Sequence, residues 1–80
     1  MWYIYIVECS DNTFYTGITT DINRRLLEHN SGKGAKYTRA RLPVVLKAFF
    51  TAKNRSEASK EEYRIKQLSR SEKIKLWITE

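Results

Sequence analysis

Residues 2–9, Trp-Tyr-Ile-Tyr-Ile-Val-Glu-Cys, carry one charge in eight positions and are dominated by β-branched and aromatic side chains. A strand with this pattern has no polar face to offer to water, so both faces must be covered by other parts of the chain. An 80-residue chain has room for only one domain, here residues 1–80. Residues 2–9 therefore predict the central strand of a small sheet, with partners on both sides.

The partners follow in order. Ser10-Asp11-Asn12 supplies turn chemistry, and Phe14 to Ile18 returns antiparallel as a hairpin. Gly17 interrupts this second strand, as glycine does where another group comes close to the backbone. Thr19-Thr20-Asp21 offers N-cap candidates for a helix running to about His29, with Ile22, Leu26 and Leu27 as its buried side. Asn30-Ser31-Gly32 ends that helix. Residues 32–41 read as a loop, and Pro43 then precedes a third strand over 44–50. Asn54 with Glu57 resembles a capping box opening a second helix, whose stripe of Ala58, Ile65 and Leu68 faces the sheet. A break at Ser69-Arg70-Ser71 begins a short final helix with Ile74, Trp77 and Ile78 inward. The expected order is ββαβαα, an α+β fold with a three-stranded antiparallel sheet flanked by helices.

Charge and cysteine content narrow the function. Fifteen Lys and Arg against nine Asp and Glu give a net charge of +6, a field that draws polyanions such as nucleic acid. No apolar run approaches the ~20 residues needed to span a bilayer, so no membrane role is expected. The N-terminus has no basic stretch or small-residue cleavage site of a signal peptide. Cys9, the single cysteine, leaves no internal disulfide and, with one histidine, no usual zinc site. A reducing cytoplasm fits this composition.

Several polar groups stand out within the apolar frame. Tyr5 and Tyr15 flank the hairpin turn and can meet across it. Arg25 and His29 are one helical turn apart on one face, with Asp21 a turn earlier and able to pair with Arg25. Taken singly, a strand tyrosine is usually an amphipathic core residue, and a histidine near a helix C-terminus often answers the helix dipole. On the second helix, at ~100° per residue, Glu61 lies roughly 40° to one side of Ile65 and Glu62 roughly 60° to the other. Either carboxylate is a solvated edge residue or the ligand of a single Mg²⁺, which takes one or two carboxylates and keeps its waters. No second carboxylate pair is visible for a two-metal site. The loop places Lys33, Lys36, Arg39 and Arg41 around Tyr37 with no acid among them, a pattern suited to phosphate contacts and one stacking ring.

Tyr3-Ile4-Tyr5, then Tyr15-Thr16-Gly17, then Arg25 and His29, with an acidic helix after the third strand, resembles the GIY-YIG nuclease superfamily. The stretches HNSGKGAKYTR and EYRIKQLSRSEK are similar to its short, stand-alone bacterial members, and the resemblance covers essentially the whole chain. It implies a metal-dependent endonuclease that hydrolyses phosphodiester bonds in DNA, or in RNA, using one Mg²⁺ or Mn²⁺ ion. Relatives act in nucleotide excision repair and on branched DNA. By position, Tyr5 corresponds to the phenol that acts as general base toward water, and Tyr15 to the phenol that binds the scissile phosphate or a metal-bound water. Arg25 would neutralise charge in the transition state, His29 would assist Tyr5 or the phosphate, and Gly17 would allow close backbone approach. The EYRIK segment places the metal-binding glutamate at Glu62, while the spacing of larger relatives selects Glu61. Tyr3 replaces the first glycine of the family's name, Thr16 replaces an isoleucine, and the C-terminal asparagine of some members has no counterpart. No attached DNA-binding domain is visible, so specificity is expected from structure selection or a protein partner. The alternative reading is a non-catalytic nucleic-acid-binding module, or an adaptor within a repair complex.

Overall fold

The computed structural model describes residues 1–77. Seven elements follow one another: β1 (Trp2–Glu8), β2 (Phe14–Thr19), α1 (Ile22–Asn30), α2 (Lys36–Arg39), β3 (Val45–Ala52), α3 (Arg55–Lys66) and α4 (Arg70–Ile74). The order is the expected ββαβαα with one addition, since the basic loop contains the four-residue helix α2.

The sheet order is β2-β1-β3, both pairings antiparallel, so the apolar first strand is central. Its alternating side chains divide between two cores. Ile4 and Ile6 point to one face and are sealed by Ala58 and Ile65 of α3, with Phe14, Ile18, Phe50 and Trp77 around them. Tyr5, Val7 and Cys9 point to the other and pack with Val44, Leu26, Leu42 and Leu46. Ile4, Ile6 and Val7 are completely buried, as a strand without a polar face requires. The β1–β3 register shifts between Ile6 and Val7, which face Ala48 and Leu46. Lys47, the extra residue, pairs with Glu8 at 3.2 Å.

The helix starts are set by side chains. Asp21 caps α1 by accepting from the Arg24 N–H at 3.0 Å. It therefore does not pair with Arg25, whose partner is Glu28 at 3.0 Å. Asn54 caps α3 by accepting from the Glu57 N–H. The reciprocal arm is displaced by one residue, because the Glu57 carboxylate accepts from Lys53 rather than from the cap itself. Ser69 and Glu72 form the complete capping box, on α4.

Leu27, expected inward, is 73% exposed. The inward stripe of α1 is formed by Ile22, Arg25, Leu26 and His29, and Leu27 stands about 140° from Ile22 at ~100° per residue. His29, and not Leu27, is the residue of this turn that is buried. Ile74 and Trp77 are half-buried as expected, and Ile78 lies outside the described residues. No helix among the described residues is long and apolar enough to cross a membrane.

Asn30 fastens the end of α1 to the start of β3. Its Oδ1 accepts from the Val44 N–H at 2.8 Å, and its Nδ2 donates to the Val44 carbonyl at 3.2 Å. Asn30→Ala removes both bonds and is predicted to destabilise the fold by about 1–3 kcal/mol. In urea unfolding this appears as a lower midpoint with unchanged slope. Asn23→Ala, at an exposed position of the same helix, stays within about 0.5 kcal/mol of wild type.

Candidate active site

The hairpin register decides which phenols meet. Tyr5 faces Gly17 and Val7 faces Tyr15, so Tyr5 and Tyr15 are diagonal neighbours on one face of the sheet. Their ring centroids are 6.4 Å apart. The Tyr5 ring lies across Gly17, where a Cβ would stand 2.5 Å from the phenol oxygen. Only a residue without a side chain leaves room for that ring.

From the opposite side α1 brings in His29, which is wholly buried. Its ring meets Tyr5 and Tyr15 edge-on at 5.8 and 5.6 Å. The imidazole makes two hydrogen bonds, from Nε2 to the Tyr5 hydroxyl at 2.8 Å and from Nδ1 to the Thr38 hydroxyl at 2.8 Å. Thr38 donates its single proton to the Ala35 carbonyl at 2.9 Å, so its oxygen is left to accept. Nδ1 must therefore carry the proton, and the Nε2 lone pair accepts from Tyr5. The result is a directed chain, Tyr5 O–H to His29, His29 N–H to Thr38, and Thr38 O–H to a backbone carbonyl.

Thr38 and Gly34 are participants that the sequence pattern does not reveal. Thr38 is completely buried on α2, inside what reads as a solvated basic loop. A Cβ at Gly34 would overlap the His29 ring. The available signal was slight: two glycines and a threonine within nine residues of the only histidine.

Charge surrounds this neutral chain. Arg25 is half-buried beside Tyr5 and carries Glu28 as its partner. Burial raises the Tyr5 pKa, the Arg25 guanidinium opposes that rise, and the charges of Tyr15 and Glu62 add to it. Burial also lowers the His29 pKa, and the neighbouring Arg25 lowers it further. The two glutamates separate clearly. Glu61 is held by Arg64 at 2.9 Å on the exposed side of α3. Glu62 has a side chain only 23% exposed, lies within electrostatic reach of Tyr5, and pairs with the Lys66 ammonium at 3.3 Å. Tyr5, Tyr15, Arg25 and His29 thus fall in one neighbourhood drawn from three elements, and Glu62 of α3 borders it through Lys66, whose ammonium lies 5.9 Å from the Tyr15 ring centroid.

The basic segment divides. Lys33, Lys36 and Arg39 are exposed and have no acidic partner among the described residues. Arg41 is engaged internally: it pairs with Asp11 at 3.0 Å, donates to the Tyr37 carbonyl at 2.7 Å, and covers the Tyr37 ring at 4.0 Å. Tyr37 in turn stacks on Tyr15, with centroids 6.0 Å apart. These two residues build the wall of the site, whereas the other three face solvent.

The His29 environment makes stability depend on pH with a defined sign. The folded state disfavours the imidazolium, while the unfolded chain protonates near the ordinary value of about 6.5. The unfolded state therefore binds more protons as pH falls through that value, and stability is lost on the acid side. Thermal melts are predicted to show a lower Tm at pH 5.5 than at pH 7.5, and His29→Gln is predicted to flatten that difference.

Residues 1–75 match the family described as the GIY-YIG catalytic domain. The chain is 56% identical over 77 residues to a UPF0213 protein of Halobacterium salinarum, covering 96% of this chain and 100% of that one. It is 62% identical over 73 residues to a UPF0213 protein of Desulfotalea psychrophila, covering 90% of this chain and 66% of that one. The solution NMR structure of a UPF0213 protein from Bacillus halodurans shares the fold, with a TM-score of 0.59 and 51% identity over 95% of this chain and 82% of that one. Sequence and fold agree, and the chain belongs to the GIY-YIG catalytic domain family, a nuclease superfamily.

Proposed function

We propose that this chain is an endonuclease that hydrolyses phosphodiester bonds in DNA with the help of one divalent cation, Mg²⁺ or Mn²⁺. The observation that carries the reading is the directed chain from Tyr5 through His29 to Thr38. It places a proton acceptor directly behind a phenol at the edge of the charged groups. A tyrosine that only filled the core would need a partner for its hydroxyl, but not a histidine fixed in one tautomer by a third residue.

The chemistry assigned to each group follows from its surroundings. Tyr5, whose proton His29 can accept, draws a proton from the attacking water as general base. At rest the proton stays on Tyr5, because ordinary phenol and imidazole differ by about 3.5 pKa units, or about 5 kcal/mol. Burial widens that gap from both ends. Arg25 is the one neighbour acting on Tyr5 in the opposite sense, and its guanidinium also suits charge growing on the phosphate. Tyr15 presents its hydroxyl to the phosphate or to bound water. Gly17 keeps the space that the Tyr5 ring needs.

The donor set fits a hard cation bound by a single carboxylate. Among the described residues there is no cluster of three or more His, Cys, Asp or Glu side chains able to enclose a metal. Glu62, however, already holds a cation, the ammonium of Lys66 at 3.3 Å. Mg²⁺ accepts such a site when waters and substrate phosphate complete its shell. When bound, the ion would supply Lewis-acid stabilisation of the phosphate and leaving oxygen. Glu62 is its proposed ligand in preference to Glu61, which Arg64 ties to the exposed side of α3. Lys33, Lys36 and Arg39 are assigned to backbone phosphates, with Tyr37 and Arg41 shaping the surface they flank. Selectivity for branched or damaged DNA, from the shape of the site or from a protein partner, completes the reading.

The deciding assay is cleavage of nicked, flapped, branched and single-stranded DNA with Mg²⁺ or Mn²⁺. Tyr5→Phe is predicted to slow cleavage by at least about 10²-fold. Glu62→Gln is predicted to abolish it, and Glu61→Gln to leave it within a few-fold of wild type. If wild type and Glu62→Gln behave alike on every substrate, the enzymatic reading is lost.

A further inference from the structure

Beside Tyr15 the surface forms a depression of about 280 Å³. It is lined by Phe14, Tyr15 and Thr16 of β2, Tyr37, Lys66 and Lys73. Two cations from different helices converge here, seven residues apart across the α3–α4 break, with no acidic residue in the lining. Lys66 extends over Tyr15, its ammonium 5.9 Å from the ring centroid, while its other contact is Glu62. Lys73 is half-buried and has no acidic partner among the described residues. Thr16, also in the lining, is 2% exposed, and its hydroxyl has no hydrogen-bond partner among the described residues. Polar groups of one sign beside two stacked phenol rings are suited to an anion attached to something that lies flat against them.

We infer that Lys66 and Lys73 form a phosphate subsite for the polynucleotide backbone, holding a phosphate next to the one presented to Tyr5 and Tyr15. The inference rests on the nucleic-acid reading given above and deepens it. Bound strand then runs across the Tyr15–Tyr37 stack, with Lys33, Lys36 and Arg39 on one side and the lysine pair on the other. Lys73 carries the larger share, because Lys66 is shared with Glu62. An acidic protein surface would satisfy the charges equally, but it has no use for the aromatic wall between them.

The test separates binding from cleavage. Fluorescence anisotropy of a labelled single-stranded DNA oligonucleotide is measured in EDTA across a salt series. The proteins are wild type, Lys73→Ala, the double variant Lys66→Ala/Lys73→Ala, and a control of equal charge, Lys60→Ala/Lys75→Ala, at exposed positions outside the depression. The double variant is expected to bind about 10-fold more weakly and to lower the slope of log Kd against log salt by about 0.7, the value for one phosphate contact on a single strand. The control is expected to change Kd less than about 3-fold, since it touches no phosphate. Lys66→Arg/Lys73→Arg should restore binding, because the charges are retained. If the double variant and the control are equivalent while Lys33→Ala/Lys36→Ala/Arg39→Ala weakens binding, the subsite is overturned and the nuclease reading stands. If wild type binds no DNA at all, both fall together.

Discussion

The hydrogen bond between Tyr5 and His29, buried on the face of β1 that does not meet α3, is the contact on which the rest depends. A phenol and an imidazole taken out of water leave three polar groups to be paired, and an unpaired one costs about 1–3 kcal/mol. One pairing is mutual, and Thr38 supplies the other. That requirement explains why a segment that looks like a solvated basic loop turns back into the structure as α2 (Lys36–Arg39). It also explains two glycines: the Tyr5 ring occupies the space above Gly17, and the His29 ring that beside Gly34.

The same contact sets the electrostatics. Burial keeps both rings neutral at rest, so the chain of hydrogen bonds stores no charge until something cationic approaches. Arg25 stands beside it already, held by Glu28, and Glu62 stands on the other side with the Lys66 ammonium in place. Opposite charges flank an uncharged relay, an arrangement whose protonation is sensitive to any change in the neighbouring charges. The net charge of +6 is divided in the same spirit. Arg41 and Arg70 tie the hairpin turn to the rest of the fold, Arg41 through Asp11 and Arg70 through the Asn12 carbonyl and the face of Phe14. Lys33, Lys36 and Arg39 face solvent with no acidic partner among the described residues.

Much of this was legible in the chain because its signals are local. A strand apolar on both faces has to be central, and β1 is. Asp21, Asn54 and Ser69 stand at helix starts because a side-chain oxygen there satisfies an amide that the helix cannot. The paired tyrosine motifs, Arg25 and His29 identify the family by their order alone. The misreadings arose where a tertiary demand overrode a local preference. Leu27 is a good inward residue for an isolated amphipathic helix, but His29 and Arg25 needed the inward side. Asp21 was suited to pairing with Arg25, but the cap was the nearer demand. Arg41, read as one of four like residues in the basic segment, is the one that pairs with an acid, Asp11, thirty residues away.

By itself the sequence determined the strand order's centre, the helix starts, the family, and the list of polar groups from which a site can be built, because each depends on periodicity or on residues close in the chain. Only the tertiary structure decided that Tyr5 crosses Gly17 to reach His29, that Thr38 fixes the tautomer, and that Glu61 is tied to Arg64 while Glu62 is paired with Lys66. The first two are set by hairpin register, or by how a helix lies against the sheet, and a shift of one residue or one turn would point a different side chain at the same place. The feature that most constrained the fold, a first strand with no polar face, turned out also to carry the one phenol that the site is built around.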